Sequence, residues 1–182
     1  MIAKGNVVAA QGICLADFTN EALMVPRLQA RDVPGVIREL SEALQRESCV
    51  PVLLPFYHAV LNREFLGSSA MGCGMALPHA RLDGLRQLWF ALGRSVEPLV
   101  WGPKDALPVD LIFLIAVPTH DVTGYLRLIS GVARLGKESQ LLTNLRAADT
   151  PVAMFSALEQ VKLHSSGNAD SRAVDRREAG AP

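Results

Sequence analysis

Residues 109–117 (VDLIFLIAV), closed by Pro118, constrain the fold more than any other segment. The stretch 111–117 has no polar side chain, yet it is far shorter than the ~20 apolar residues that crossing a membrane requires. Its aliphatic, β-branched and aromatic content, ended by a proline, reads as a strand buried on both faces. Such a strand needs cover on both sides. Residues 88–92 (LWFAL) read as a second buried strand. The cover is written as helices. Asp32, Val33 and Pro34 open an amphipathic helix carrying Val36, Ile37, Leu40, Ala43 and Leu44, with proline in its first turn. Pro55 opens another, with Phe56, Ala59, Val60 and Arg63 along it. Asp121 caps a third, carrying Tyr125, Leu126, Ile129, Val132 and Ala133 and stopping near Gly136. Asp149 is the expected cap of a fourth, with Pro151 in its first turn and Phe155 and Leu158 inward. Strands interleaved with helices give an α/β or α+β fold, a sheet covered by helices.

Lys and Arg number 18, as do Asp and Glu, so no basic excess exists of the kind phosphate contacts to nucleic acid require. With 49% hydrophobic residues the chain can bury a substantial core. Length and composition point to one domain over residues 1–164. Residues 165–182 have Val174 as their only large aliphatic side chain and read as a disordered tail. Lys4 ahead of Val7 and Val8 faintly resembles a signal peptide, but Gln11 and Gly12 interrupt it, and a mature cytoplasmic protein is expected. Three cysteines, Cys14, Cys49 and Cys73, are too few for a disulfide framework and fit reduced thiols. The four histidines, His58, His79, His120 and His164, lie at least 21 residues apart, so no local zinc pair exists, and neither metal nor cofactor is expected.

The chemistry concentrates in residues 63–81 (REFLGSSAMGCGMALPHAR). Gly67, Gly72 and Gly74 free the backbone for close approach to an anion. Pro78 stiffens the chain immediately before His79 and pushes Leu77 toward an extended conformation. A neutral imidazole held there is a nucleophile able to carry a transferred group covalently. Transfer of a phosphoryl group needs little else than charge stabilisation on its oxygens, which a guanidinium supplies. Arg63 stands sixteen residues upstream. Neither a phosphate-binding GxxxxGK[ST] loop nor a GxSxG nucleophile elbow is present.

Gly72-Cys73-Gly74-Met75-Ala76-Leu77-Pro78-His79-Ala80-Arg81 reads GxGxAxPHxR. It closely resembles the phosphorylation-site motif of the type-2 enzyme IIA domains of the phosphoenolpyruvate:sugar phosphotransferase system, in its mannitol, fructose and nitrogen-regulatory branch. The resemblance extends through Arg63-Glu64, Ala91-Leu92-Gly93-Arg94, Val100-Trp101-Gly102, Pro108 to Leu114, and Tyr125 to Ile129, roughly residues 10 to 160. It implies a mixed five-stranded sheet flanked by helices. It implies that His79 accepts a phosphoryl group, on Nε2, from the histidine phosphocarrier protein or its nitrogen-branch paralogue. His79 then passes the group to a IIB protein or holds it as a signal, with Arg63 neutralising the phosphoryl oxygens and Gly74 shaping the pocket. The family commonly has a second histidine seven residues after the Val-Pro pair, where this chain has Tyr125. A tyrosine hydroxyl still donates to a phosphoryl oxygen or orients an imidazole.

Each of these residues also has a plainer reading. Arg63 as a solvated cation at a helix end, the glycines as turn residues, Cys73 as a buried small hydrophobe and Tyr125 as helix core are the alternatives. Arg81, beside His79, is read as a partner contact. Trp89 and Trp101 read as core or pocket rim. No attached IIB domain, membrane spans or DNA-binding region is recognisable, which favours a nitrogen-regulatory IIA. The alternatives are a soluble sugar-specific IIA and a non-phosphorylated module that binds a kinase or transporter.

Overall fold

The computed structural model describes residues 13–102 and 108–163. The segment around Val7, His164 and the tail expected over residues 165–182 lie outside them.

The apolar run becomes β6 (Pro108–Pro118), buried at every position from Leu111 to Pro118. Successive strand side chains point to opposite faces, so this pattern means both faces of the sheet are covered. Antiparallel to β6 lies β5 (Trp89–Val100), with Leu92 opposite Phe113 and a register shift between Arg94 and Leu99. The expected strand over residues 88–92 is therefore only the first half of a longer one. Within the shift β5 carries Val96, Glu97 and Pro98 toward solvent, and its apolar pattern is interrupted.

On the far edge of β6 lie two short parallel strands, β3 (Met75–Ala76) and β4 (His79–Leu82). Met75 pairs with Leu111 and His79 with Ile115, so both keep one register and form a single edge interrupted at Leu77 and Pro78. The Pro78 carbonyl accepts from the Ile115 amide at 2.9 Å and carries the ladder across the interruption. Two-residue strands complete the sheet: β1 (Met24–Val25), parallel to β5, and β2 (Ala70–Met71), antiparallel to β3. The six strands thus fill five positions of a mixed sheet, as expected.

Helices α1 (Val33–Arg46) and α2 (Leu53–Leu66) pack on each other, α1 against β5 and α2 against β4. Asp32 caps α1 by accepting from the Gly35 amide at 2.8 Å, with Pro34 in the first turn. Helix α3 (Val122–Leu135) starts at Asp121, which accepts from the Gly124 amide, and stops at Gly136. Its buried stripe is Leu128, Gly131, Val132 and Leu135, which turns Leu126 out to solvent. Helix α4 (Ser139–Ala147), whose weak apolar pattern gives no clear sequence signal, packs on α5 (Pro151–Glu159). The cap of α5 is Thr150, not Asp149: its hydroxyl accepts from the Ala153 amide, and Leu158 is buried while Phe155 is half-buried. Chain segments from both ends meet where the Leu15 amide donates to the Val161 carbonyl. Among the described residues no helix is long and apolar enough to cross a membrane.

All three cysteines are free thiols. Cys14 and Cys49 are buried, and burial, followed by the nearby Glu47 charge, pushes the Cys49 thiol up to about 11. Cys73 departs from its expected burial: it is exposed, in a left-handed conformation at φ 62°. A thiol reagent at mildly alkaline pH is expected to modify Cys73 in the native protein and the other two only after unfolding. Peptide mapping by mass reads the difference, because the thiolate is the reacting species and needs access.

Candidate functional site

Pro78 shapes the site. It has no amide hydrogen to donate into the β6 ladder, and alternation turns the amide and the carbonyl of the preceding Leu77 away from β6. That oxygen lies 3.0 Å from Nδ1 of His79. A carbonyl only accepts, so Nδ1 carries the proton and the lone pair of the neutral ring sits on Nε2. Nε2 has no hydrogen-bond partner among the described residues. The ring is half-buried and faces away from the core, because Ala80, the next residue on β4, is the one turned inward.

Strand alternation puts Arg81 on the same side of β4 as His79. The two are joined by Tyr125, in the first turn of α3. Its ring centroid lies 5.4 Å from that of His79, tilted by 43°, and the Arg81 guanidinium carbon lies 5.2 Å from the Tyr125 centroid. This is a cation–π contact over the tyrosine face. Burial pushes the Tyr125 hydroxyl up, and the positive charges of Arg81 and Arg63 pull the other way. The hydroxyl therefore stays protonated and able to donate at neutral pH. Arg63 stands on the exposed last turn of α2, where its Nη1 donates to the Gly67 carbonyl at 3.0 Å. In this state it is both a helix-end cation and a charge within electrostatic reach of Tyr125.

Gly74 is placed elsewhere. It precedes Met75, and Met75 to His79 spans four residue steps of one strand edge, about 13 Å at the usual rise. Its φ of 78° requires glycine, and a Cβ there would come within 2.8 Å of Asp110 and 2.6 Å of Arg146. Arg146 makes a two-pronged ion pair with Asp110 and also donates to the Cys73 carbonyl. The turn over residues 72–74 thus packs on an ion pair. His120 lies on the exposed turn between β6 and α3, and His58 sits in α2 beside Tyr57. Among the described residues no group of three or more His, Cys, Asp or Glu could hold a metal ion.

One residue beside Arg63 is more deeply engaged than its sequence context suggests. Glu64 Oε1 accepts from the Ser69 amide at 2.7 Å and from Trp101 Nε1 at 2.8 Å. Trp101 is fully buried, and its carbonyl accepts from the Ser68 hydroxyl. Nothing in the sequence pairs Glu64 with Trp101, because they lie 37 residues apart, one on α2 and the other just beyond the end of β5.

Residues 17–161 match the family described as "Phosphoenolpyruvate-dependent sugar phosphotransferase system, EIIA 2". A nitrogen regulatory protein from Bradyrhizobium diazoefficiens is 28% identical over 149 residues, covering 79% of this chain and 94% of that protein. Among solved structures, the nitrogen regulatory protein IIA-Ntr of Neisseria meningitidis superposes with a TM-score of 0.67 at 24% identity, over 79% of this chain and 98% of that one. Enzyme IIAMTL in the complex with phosphorylated enzyme IIBMTL from Escherichia coli superposes with a TM-score of 0.65 at 15% identity, over 76% of this chain and 95% of that one. At these identities the two structures establish a shared fold. The match over residues 17–161 goes further: the chain belongs to the EIIA type-2 family of the phosphoenolpyruvate-dependent sugar phosphotransferase system.

Proposed function

We propose that this protein is a phosphocarrier that accepts a phosphoryl group on Nε2 of His79 from a histidine phosphocarrier protein, and that it serves as a nitrogen-regulatory IIA in the cytoplasm. The observation that carries this reading is the bond from His79 Nδ1 to the Leu77 carbonyl. It holds the proton on one ring nitrogen and leaves the other as a fixed nucleophile. The Nε2 lone pair attacks phosphorus on the donor's phosphohistidine. The donor's P–N bond breaks, and its electron pair returns to the donor imidazole. The His79 ring, still protonated at Nδ1, then carries positive charge, which the Leu77 carbonyl dipole stabilises. Arg63 and Arg81 offset the charge of the phosphoryl oxygens, and the Tyr125 hydroxyl is a donor in the place where the family commonly has histidine. The nitrogen-regulatory assignment draws on the similarity to the Bradyrhizobium protein, which spans nearly all of that protein.

A donor must bring its own phosphohistidine against His79, and the surroundings suit a brief protein contact. Phe65 and Leu66, at the end of α2 beside Arg63, are 93% and 84% exposed. Val122 and Leu126 are exposed around Tyr125 on α3. Apolar anchors beside cations are the usual composition of such surfaces. A IIB protein or a regulated kinase or transporter is the proposed onward partner.

The test is phosphoryl transfer from phosphoenolpyruvate through enzyme I and each phosphocarrier paralogue, read by intact mass before and after acid treatment. One acid-labile adduct is the expected result. No adduct from either donor would replace the phosphocarrier reading with that of a binding module, with Tyr125 as the decisive departure. Arg63→Ala is expected to slow transfer about 10²-fold, the scale for losing one electrostatic donor, at little change in the half-saturating donor concentration. A normal rate would remove Arg63 from the mechanism.

A further inference from the structure

We propose that Glu64 is the positioning residue that fixes the tautomer of His79, acting through Ser69 and Leu77; this deepens the phosphocarrier reading and rests on it for its effect on transfer. Three hydrogen bonds form the connection. The Ser69 amide donates to Glu64 Oε1 at 2.7 Å. The Leu77 amide donates to the Ser69 carbonyl at 3.1 Å. The Leu77 carbonyl receives His79 Nδ1–H at 3.0 Å. The coupling is positional, not electronic, because the amide and the carbonyl of one residue belong to different peptide groups. Each bond fixes the residue whose other polar group makes the next.

The segment needs this restraint. Between α2 and β3 the only regular strand is the two-residue β2, and Pro78 removes the ladder amide that would otherwise hold the chain just before His79. Glu64 also bonds to buried Trp101, so the fixed end of the connection is anchored in the core. Its second oxygen, Oε2, is buried with no hydrogen-bond partner among the described residues, as is the Ser69 hydroxyl. A carboxylate retained with half its bonding capacity unmet contributes less to stability than a satisfied one, so its place is better explained by what Oε1 holds. The adjacent Arg63 donates to the Gly67 carbonyl, so consecutive side chains of α2 clamp the same loop.

The experiment reads the ¹⁵N shifts of the neutral His79 ring in the unphosphorylated full-length protein, at a pH above imidazole titration, alongside thermal unfolding and transfer kinetics. In the wild type the Nδ1–H tautomer should dominate. Glu64→Ala should release the Nε2–H tautomer and slow transfer about tenfold, as when an orienting partner is removed from a functional histidine, with the half-saturating donor concentration unchanged. Glu64→Gln keeps a neutral acceptor at Oε1 and should restore both readouts. Trp101→Phe loosens the anchor but keeps the Ser69 bond, so stability should fall and the tautomer should shift far less than in Glu64→Ala. Should Glu64→Ala not fold, Glu64→Asp, which withdraws the carboxylate by one methylene, should release the tautomer in its place. A folded Glu64→Ala or Glu64→Asp with the wild-type tautomer ratio overturns the proposal. So does a Trp101→Phe that shifts the tautomer as far as Glu64→Ala. Because the ring shifts need no phosphoryl donor, a wild type that takes up no phosphate would defeat the phosphocarrier reading while leaving Glu64 to be judged on the tautomer alone.

Discussion

His79→Ala is expected to abolish the acid-labile phosphoryl adduct completely while leaving the protein folded. The loss is total because covalent transfer needs a nucleophile at one place, and among the described residues the cluster offers no second imidazole. His120 is on the exposed turn before α3 and His58 is in α2. The fold survives because the backbone, not the ring, pairs His79 with Ile115, and the half-buried ring contributes little to the core. A stability change within about 1 kcal/mol is expected for such a position. The tyrosine next to it makes the experiment sharper. Tyr125 lies against the His79 ring and keeps its proton, so it is a poor nucleophile but one placed beside the proposed acceptor. A phosphoryl group on nitrogen is lost in acid, whereas one on a phenol oxygen survives. An acid-stable adduct in the variant would therefore move the acceptor to a hydroxyl, and to Tyr125 if Tyr125→Phe removes it; an acid-labile adduct in the variant would move it to another histidine.

The legible parts of the fold are those where local chemistry and the final contact coincide. Asp32 and Pro34 announce α1 because a cap and a locked φ act within one turn. The run 111–117 announces β6 because burial on both faces forbids any polar side chain. Thr150 took the cap expected of Asp149 because two adjacent capping residues leave the choice to packing. The shortest strands, β1, β2 and β3, have two residues each and no period to read. β1 and β3 follow from neighbours distant in the chain, and β2 from the turn that folds it back on β3.

The site divides the same way. Pro78-His79 was readable because proline stiffens its own neighbours. Tyr125 and Arg81 reach His79 through ordinary periodicities, one from a helix start and one from strand alternation. Gly74 and Cys73 were not readable as to place. Glycine permits an anion cradle and a turn packed on an ion pair equally, and only Asp110 and Arg146, remote in sequence, choose the second. Glu64 was hidden for the same reason, since its role depends on Ser69 and Trp101 arriving from two other segments.

Phe113→Ala is expected to cost far more stability than His79→Ala, because it empties the centre of the core. Phe113 is fully buried at the middle of β6, opposite Leu92 and 5.7 Å centroid to centroid from Phe90. Removing its ring from a core covered on both sides leaves a cavity that the paired strands cannot close, a loss of about 3–5 kcal/mol. For a chain of this length that corresponds to a fall in Tm of roughly 6–20 °C. Phe113→Leu, which keeps most of the volume, should cost under about 1.5 kcal/mol. Chemical denaturation with an unchanged m-value reads both. The link to function is the ladder. One edge of β6 holds β5 and the other holds β3 and β4, so the strand that carries the core also sets the height of His79. Well below its transition, folded Phe113→Ala should still accept phosphate at His79, because Ile115 and Ala116 keep their backbone partners. If transfer is lost at a temperature where the variant remains folded, then the acceptor's geometry depends on side-chain packing beneath it as well as on the backbone ladder. If stability falls by less than about 1 kcal/mol, the centre of the core lies away from the Phe90–Phe113 contact.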